Sequence, residues 1–254
     1  MMLAEERREE ILKMLEKNKI VKAMELSKYF EVGIETIRRD FDALEKQGQL
    51  KKIYGGATLE RIELKNLDYT TRLNIEVAEK TEIAQKAVKF IVEEDTIFLN
   101  DSSTNIYLAK EIKKNIRKIT VITNSLVIAS ELSDMEDYSV ILAGGFLDSK
   151  EKAFFGTISE EIISNFIVNK AFLSVSNLSL KTGFTDYPQK EVIIQKAMIK
   201  YSKEVIVLAN SQKFETTALI KVAELNEAKI VITDSKLRKA IYETYKENNI
   251  DIIY

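Results

Sequence analysis

The chain has 254 residues, with 38 Lys+Arg against 40 Asp+Glu for a formal net charge of −2, and it contains neither histidine nor cysteine. Disulfides and cysteine-ligated zinc are thereby excluded, and the commonest metal ligand and best neutral-pH proton carrier is missing, so no metal and no cofactor are expected and catalysis is narrowed. A near-zero balance argues against a wholesale polycationic coat, the opening MMLAEERREE is charged, and no run approaches the roughly 20 apolar residues of a membrane span, so a cytoplasmic protein is expected.

Ile11, Leu12 and Leu15 place an apolar stripe on a first helix, over residues 5 to 16, and Ala23, Leu26 and Phe30 place one on a second. Glu31-Val32-Gly33 then reads as a tight turn in which Gly33 supplies a positive φ or an N-cap. The third helix, residues 34 to 46, has two faces. Ile34, Ile37, Phe41 and Leu44 recur at i, i+3, i+7 and i+10, while Glu35, Thr36, Arg38 and Arg39 stand on the other side. Long cationic side chains on a rigid, packed helix are what reading a DNA major groove requires, because the guanidinium fork pairs with a guanine edge or clamps a phosphate. The plainer reading is a surface helix whose Arg38 is neutralised by Glu35 and Asp42, each pair worth tenths of a kcal/mol. Three short helices joined through a three-residue turn favour the DNA reader.

Next, Gln49 to Ile53 and Tyr54 to Thr58 read as strand, turn and strand, with Gly55-Gly56 opening the hairpin. This is a wing, and Lys51, Lys52 and Tyr54 are its candidate DNA contacts, the lysines lying along the phosphates. Residues 1 to 60 hold 12 Lys+Arg against 12 Asp+Glu. Affinity must therefore come from placement, with Arg38, Arg39, Lys51 and Lys52 on one surface and acids such as Glu5, Glu6, Glu9 and Glu10 elsewhere.

Periodicity fades between Thr58 and Glu79, which divides the chain into a winged helix-turn-helix domain over residues 1–58, a linker over 59–78 and a larger α/β domain over 79–254. The last of these alternates β-rich apolar runs with helical patterns, the signature of a mainly parallel sheet wrapped by helices. Its strand candidates are Thr96 to Asn100, Ile119 to Thr123, Ser139 to Ala143, Ala171 to Val175, Val205 to Ala209, Ile230 to Thr233 and Ile250 to Tyr254. Ligands bind beyond the carboxyl ends of such strands. There the chain offers Asp101-Ser102-Ser103-Thr104-Asn105 opening a helix, then Thr123-Asn124-Ser125 opening another. Gly144-Gly145 follow, whose missing side chains would let a ligand approach the backbone, and then Asn210-Ser211-Gln212-Lys213, which adds a cation. Hydroxyls, free N–H groups and one lysine suit a phosphate-bearing, hydroxyl-rich small molecule. Each piece alone is explained as well by a cap or a turn, so their coincidence at successive strand ends carries the reading.

The N-terminal residues Glu31-Val32-Gly33-Ile34-Glu35-Thr36-Ile37-Arg38-Arg39-Asp40-Phe41, Leu44-Glu45-Lys46-Gln47-Gly48 and Ile53-Tyr54-Gly55-Gly56-Ala57 resemble the signature of the DeoR-type bacterial transcription regulators. Gly33 stands where that family usually has a capping serine, and Tyr54 where its wing usually has histidine. Further pieces match its effector domain, a fold similar to ribose-5-phosphate isomerases: Glu79-Lys80, Asp101 to Thr104, Thr123-Asn124-Ser125, Gly144-Gly145, Phe155-Gly156, Thr182-Gly183-Phe184-Thr185, Glu191, Lys213 and Thr233-Asp234. The departures there are the absence of glycine near Ser102 or Ser103 and the amides Asn169 and Asn210 in place of aspartates. The resemblance implies a regulator, in the expected sense a repressor of carbohydrate genes, with a phosphorylated sugar held by Asp101, Ser102, Ser103, Thr104, Asn105, Thr123, Asn124, Ser125, Gly144, Gly145, Glu191, Asn210 and Lys213.

The alternative is a sugar-phosphate isomerase-like enzyme in which Glu191 would serve as base and Lys213 would stabilise an enediolate. Nothing in an isomerase explains residues 1–58, so no catalytic residue is assigned. No basic-aromatic platform supports a single-strand RNA binder either. A two-headed reader of operator half-sites would be at least a dimer, and the resemblance allows dimers or tetramers.

Overall fold

A computed structural model describes residues 3–18, 20–46, 49–58 and 69–254. These fall into two compact units, Met1–Glu76 and Val77–Tyr254.

Unit 1 begins with α1 (Ala4–Asn18), β1 (Ile20–Lys22), α2 (Ala23–Tyr29) and α3 (Ile34–Lys46), followed by β2 (Lys51–Ile53), β3 (Gly56–Thr58) and α4 (Tyr69–Leu73). The expected stripes meet in one core in which Ile11, Leu15, Leu26, Ile37, Phe41, Leu44 and Leu50 are all but inaccessible to water. Burying each such side chain is worth about 1.5–3 kcal/mol, so packing rather than helix propensity holds these short helices. Of the two roles expected of Gly33 in the turn between α2 and α3, the structure shows the N-cap. Glu31, at φ 53°, takes the left-handed conformation and Gly33 does not. Gly33 instead closes the start of α3 through its carbonyl, which accepts the Thr36 N–H at 2.9 Å.

The wing is a three-stranded antiparallel sheet in the order β1-β3-β2. β1 is absent from the sequence reading because three residues are too short to show alternation. Tyr54 and Gly55 form the turn, Gly55 at φ +77°, and a Cβ on Gly56 would collide with the Val21 carbonyl oxygen. The two glycines thus serve separate needs, a left-handed turn and a close approach of β3 to β1. Residues 59–68 of the expected linker lie outside the described residues. Tyr69–Leu73 is helical instead, because its apolar Tyr69 is buried, and α5 already begins at Val77.

Unit 2 runs α5 (Val77–Ala87), β4 (Thr96–Leu99), α6 (Ser103–Asn115), β5 (Ile119–Thr123), α7 (Leu126–Leu132) and β6 (Tyr138–Leu142). It continues with β7 (Phe146–Asp148), β8 (Ala153–Phe155), α8 (Thr157–Ser164), β9 (Val168–Ser174), β10 (Asn177–Ser179), β11 (Gly183–Asp186) and α9 (Gln189–Lys200). The last elements are β12 (Ser202–Leu208), β13 (Ile220–Ala223), β14 (Ile230–Ile232), α10 (Lys239–Glu247) and β15 (Ile252–Ile253). The main sheet is parallel, in the order β15-β14-β12-β9-β4-β5-β6, so each strand candidate is found within a few residues of its expected place. Its central strands are apolar on both faces, as a sheet covered by helices demands. Two small antiparallel sheets, β7-β8 and β10-β11-β13, were not anticipated, since their strands have only three or four residues.

The chain lays down β4, β5 and β6 in one direction and then returns to set β9 on the other side of β4. The β4/β9 junction is therefore the topological switch point, the place where sheets of this kind take ligands at the carboxyl ends of their strands. No helix of the described residues is long and apolar enough to cross a membrane.

Candidate functional site

In unit 1 the exposed side of α3 carries Glu35, Arg38 and Arg39, with Thr36 partly covered. Arg38 is ion-paired with Glu35 one turn back. The expected second partner, Asp42, instead reaches the wing, where it pairs with Lys52, and Glu45 Oε2 lies 3.5 Å from the same ammonium. The hydrogen bond between them holds the Lys52 ammonium above its ordinary pKa and the Asp42 carboxyl below its own. Lys51 is 3.9 Å from Glu76. Among the described residues Arg39 has no such partner. Tyr54 tips the wing at 82% exposure. Helix and wing thus present the expected residues on the surface, with most of their cations already compensated.

One residue that fixes this face was missed. Asp40 lies on the buried side of α3 beside Ile37, Phe41 and Leu44, where it accepts from Arg7 Nε at 2.6 Å and Arg8 Nε at 3.0 Å. The signal was available: a carboxylate at i+3 from Ile37 and i−4 from Leu44 sits inside the apolar stripe, and a buried charge needs a partner.

In unit 2 the carboxyl ends of five neighbouring strands are stitched into one polar network. After β5, Asn124 donates to Asp101 Oδ1 at 2.8 Å and to the Phe154 carbonyl at 3.1 Å, and accepts the Asp101 N–H at 3.1 Å. After β4, Asn100 donates to the Ser174 carbonyl at 3.0 Å and accepts the Ser174 N–H at 2.9 Å, closing the switch point between β4 and β9. Lys213, in the short 3-10 turn after β12, donates to the Val175 carbonyl at 2.6 Å and to Ser174 Oγ at 3.3 Å. Asp234, after β14, accepts the Ser211 N–H at 2.7 Å. Behind β9, Gln195 of α9 donates to Asp186 Oδ2 at 2.9 Å, and Asp186 accepts from Ser176 Oγ at 2.6 Å. Glu215 accepts from the buried Tyr245 hydroxyl at 2.6 Å, anchoring the loop that carries Lys213; burial and then this hydrogen bond push that hydroxyl's pKa up.

The thirteen expected effector residues divide. Ser103 and Thr104, in the first turn of α6, keep hydroxyls and N–H groups that meet no acceptor among the described residues. With Asp101, Lys213 and the open face of Gly144 they are the candidates for meeting a ligand among the described residues. Others are framework. Ser102 caps α6 by accepting the Asn105 N–H at 3.0 Å, and Ser125 caps α7 by accepting from Ile128 at 3.3 Å. Asn105 is fully buried, donating to Asn100 Oδ1 at 2.8 Å and the Phe172 carbonyl at 2.9 Å, while Thr123 accepts from Ser125 at 3.1 Å. Asn124 is consumed by Asp101 and Phe154. The space beside Gly145 is taken by the chain itself, since a Cβ there would lie 2.6 Å from Ser159 Oγ and 2.8 Å from the Phe155 carbonyl. Asn105, Thr123, Asn124 and Gly145 thus act as supports within the fold, although the buried Asn105 Oδ1 meets no donor among the described residues. Glu191 is half-buried in the first turn of α9, and Asn210 opens the turn that carries Lys213. Asn169 also moves. It accepts the Thr96 N–H at 3.0 Å, at the amino end of β4 and so on the opposite edge of the sheet from the carboxyl ends.

Residues 7–63 match the DeoR-like helix-turn-helix domain, and residues 75–235 match the DeoR C terminal sensor domain. The chain belongs to the DeoR family of transcription regulators. A regulator of Bacillus subtilis, YulB, is 34% identical over 99% of this chain and 96% of its own length. The regulator GolR of Listeria innocua is 31% identical over 97% of both chains, and the repressor GlcR of Bacillus subtilis 31% over 99% and 96%. Among solved structures, ribose 5-phosphate isomerase A of Neisseria gonorrhoeae is 15% identical, covers 55% of this chain and 54% of its own, and superposes with a TM-score of 0.40. The β subunit of eIF2B from Chaetomium thermophilum, 16% identical, covers 84% and 59% with a TM-score of 0.47. DeoR-family proteins are DNA-binding regulators rather than enzymes, so the isomerase alternative is set aside.

Proposed function

We propose that this DeoR-family protein represses carbohydrate genes by binding an operator through α3 and the wing, and releases it when a phosphorylated sugar binds at the strand carboxyl ends of unit 2. The observation that carries the effector half is the α6 first turn. Ser103 and Thr104 present unpaired hydroxyls and N–H groups at a positive helix end, with the Lys213 ammonium at the neighbouring strand end, the donor set a phosphate-bearing polyol asks for. The Lys213 ammonium and the helix-end N–H groups there favour an anionic ligand, and Asn210 is neutral.

A relative whose name concerns a sugar operon, an L-fucose operon activator from Haemophilus influenzae, supports the carbohydrate reading, and the relative GlcR, a repressor, supports repression. Operator half-sites one helical turn apart require two heads, so the working form is at least a dimer. Effector and DNA are coupled by about 1–3 kcal/mol, enough for a 5- to 150-fold change in operator affinity. A DNA partner supports a cytoplasmic location, and no helix among the described residues is long and apolar enough to cross a membrane.

The test is fluorescence anisotropy on DNA from upstream of the protein's own gene, at fixed salt, repeated with a panel of sugar phosphates. Tight binding weakened by one of them is expected. Tight binding that no sugar phosphate changes would sink the effector reading and leave the DNA reading standing.

A further inference from the structure

β2 is the outer strand of the wing sheet, so alternate backbone N–H groups face away from β3 with no strand beyond them. The Lys52 N–H is one of these, and it donates to Glu45 Oε1 at 2.7 Å. The other oxygen of the same carboxylate lies 3.5 Å from the Lys52 ammonium, and Asp42, one turn earlier on α3, takes that ammonium too. Lys52 is therefore gripped at backbone and side chain by two acids that project from the helix bearing Arg38 and Arg39.

We propose that Glu45, assisted by Asp42, is the positioning residue that sets the wing against α3, and that Lys52 is the handle it holds rather than a phosphate contact. The inference rests on reading unit 1 as a DNA reader and revises Lys52 within it. Electrostatics argue the same way. Two carboxylates beside a polyanion weaken binding unless a cation compensates them, and Lys52 supplies that compensation. A lysine drawn off to a phosphate would leave both acids bare against the DNA backbone. The grip also aims the wing tip, because Tyr54 follows Lys52 by two residues and the turn holds only Tyr54 and Gly55.

The experiment uses the full chain, a duplex selected from a random-sequence pool by the wild-type protein, and a scrambled duplex of the same length, titrated over a NaCl series. Glu45→Ala is expected to weaken binding to the selected duplex by about tenfold, since a loosened support misplaces the contacts it carries. The scrambled duplex should bind unchanged or slightly tighter, because a negative charge has gone. Glu45→Gln keeps an acceptor for the Lys52 N–H and should recover most of the loss. Lys52→Met should weaken the selected duplex without changing the slope of log K against log[NaCl], whereas loss of a phosphate contact would reduce that slope by about 0.9 on both duplexes. Glu45→Ala binding the selected duplex as tightly as wild type, or Lys52→Met flattening the slope, overturns the proposal. Hydrogen exchange on α3 checks that the helix survives; should Glu45→Ala unfold unit 1, the Gln and Met variants decide alone. A wild-type protein that selects no duplex overturns the DNA reading, and this inference with it.

Discussion

Asp40 tests whether a charge, and not only apolar packing, holds the DNA-reading helix in place. Its side chain is 2% exposed and accepts two charged hydrogen bonds from α1, while Arg7 is 7% exposed and Arg8 30%. Replacing Asp40 with Ala leaves the Arg7 guanidinium buried without that carboxylate, a change that costs about 3–5 kcal/mol. Unit 1, Met1–Glu76, is small enough that its whole stability is about 4–11 kcal/mol at typical values per residue. The loss is thus a large share, and its unfolding transition should fall by at least about 12 °C, at about 4–8 °C per kcal/mol for a unit of this size. Asp40→Asn should be nearly as damaging, since it turns an N–H₂ toward a guanidinium. The double change Arg7→Met with Asp40→Leu should restore most of the stability, because a buried ion pair replaced by well-packed apolar groups is often neutral or better, and Arg8 can turn to water. Calorimetry of the full chain, with hydrogen exchange on α1 and α3, reads the outcome. An Asp40→Ala protein whose α3 protection falls by less than about 1 kcal/mol would refute the reasoning, as it would mean that the pair contributes no more than an exposed one.

Three further outcomes are expected. If Arg39 reads a base, Arg39→Ala costs about 1–3 kcal/mol and relaxes preference at a single operator position in a binding-site selection, while a uniform loss across sequences assigns it to phosphate. Lys213→Ala abolishes the response to the sugar phosphate in the anisotropy assay and leaves operator affinity unchanged; a surviving response would move the ligand elsewhere. The third concerns Asp148 on β7, whose hydrogen bond from Lys190 at the start of α9 lowers its pKa from 3.8 to about 2. A depressed carboxylate stabilises the fold above its unfolded pKa and loses that contribution as pH falls through the folded value. The stability gap between wild type and Asp148→Asn should therefore be steady above about pH 5, at about 1–2 kcal/mol after solvent screening, and close between pH 4 and 2. Urea unfolding at several pH values measures it, and a gap that persists at pH 2 contradicts the assignment.

The residues by themselves determined the order of the two units, the α3 stripe and its exposed arginines, the wing turn and the strands of the parallel sheet. These are local properties, set by periodicities of 3.6 and 2 and by the special backbone of a Gly-Gly pair, so neighbouring residues suffice to reveal them. Pairings between residues far apart in the chain were settled only by tertiary structure. Asp40 lies 33 residues from Arg7, and Asn100 lies 74 from Ser174. Nothing local distinguishes Asn105, spent on the Phe172 carbonyl, from Ser103 and Thr104 beside it, which keep their donors. The same gap moved Asp42 from Arg38 to Lys52, since i,i+4 spacing on a helix allows the first pair but the wing, folding back ten residues later, supplies the second. Side-chain type and spacing determine what a residue is able to bind; which partner it meets depends on the chain returning to it through the folded core.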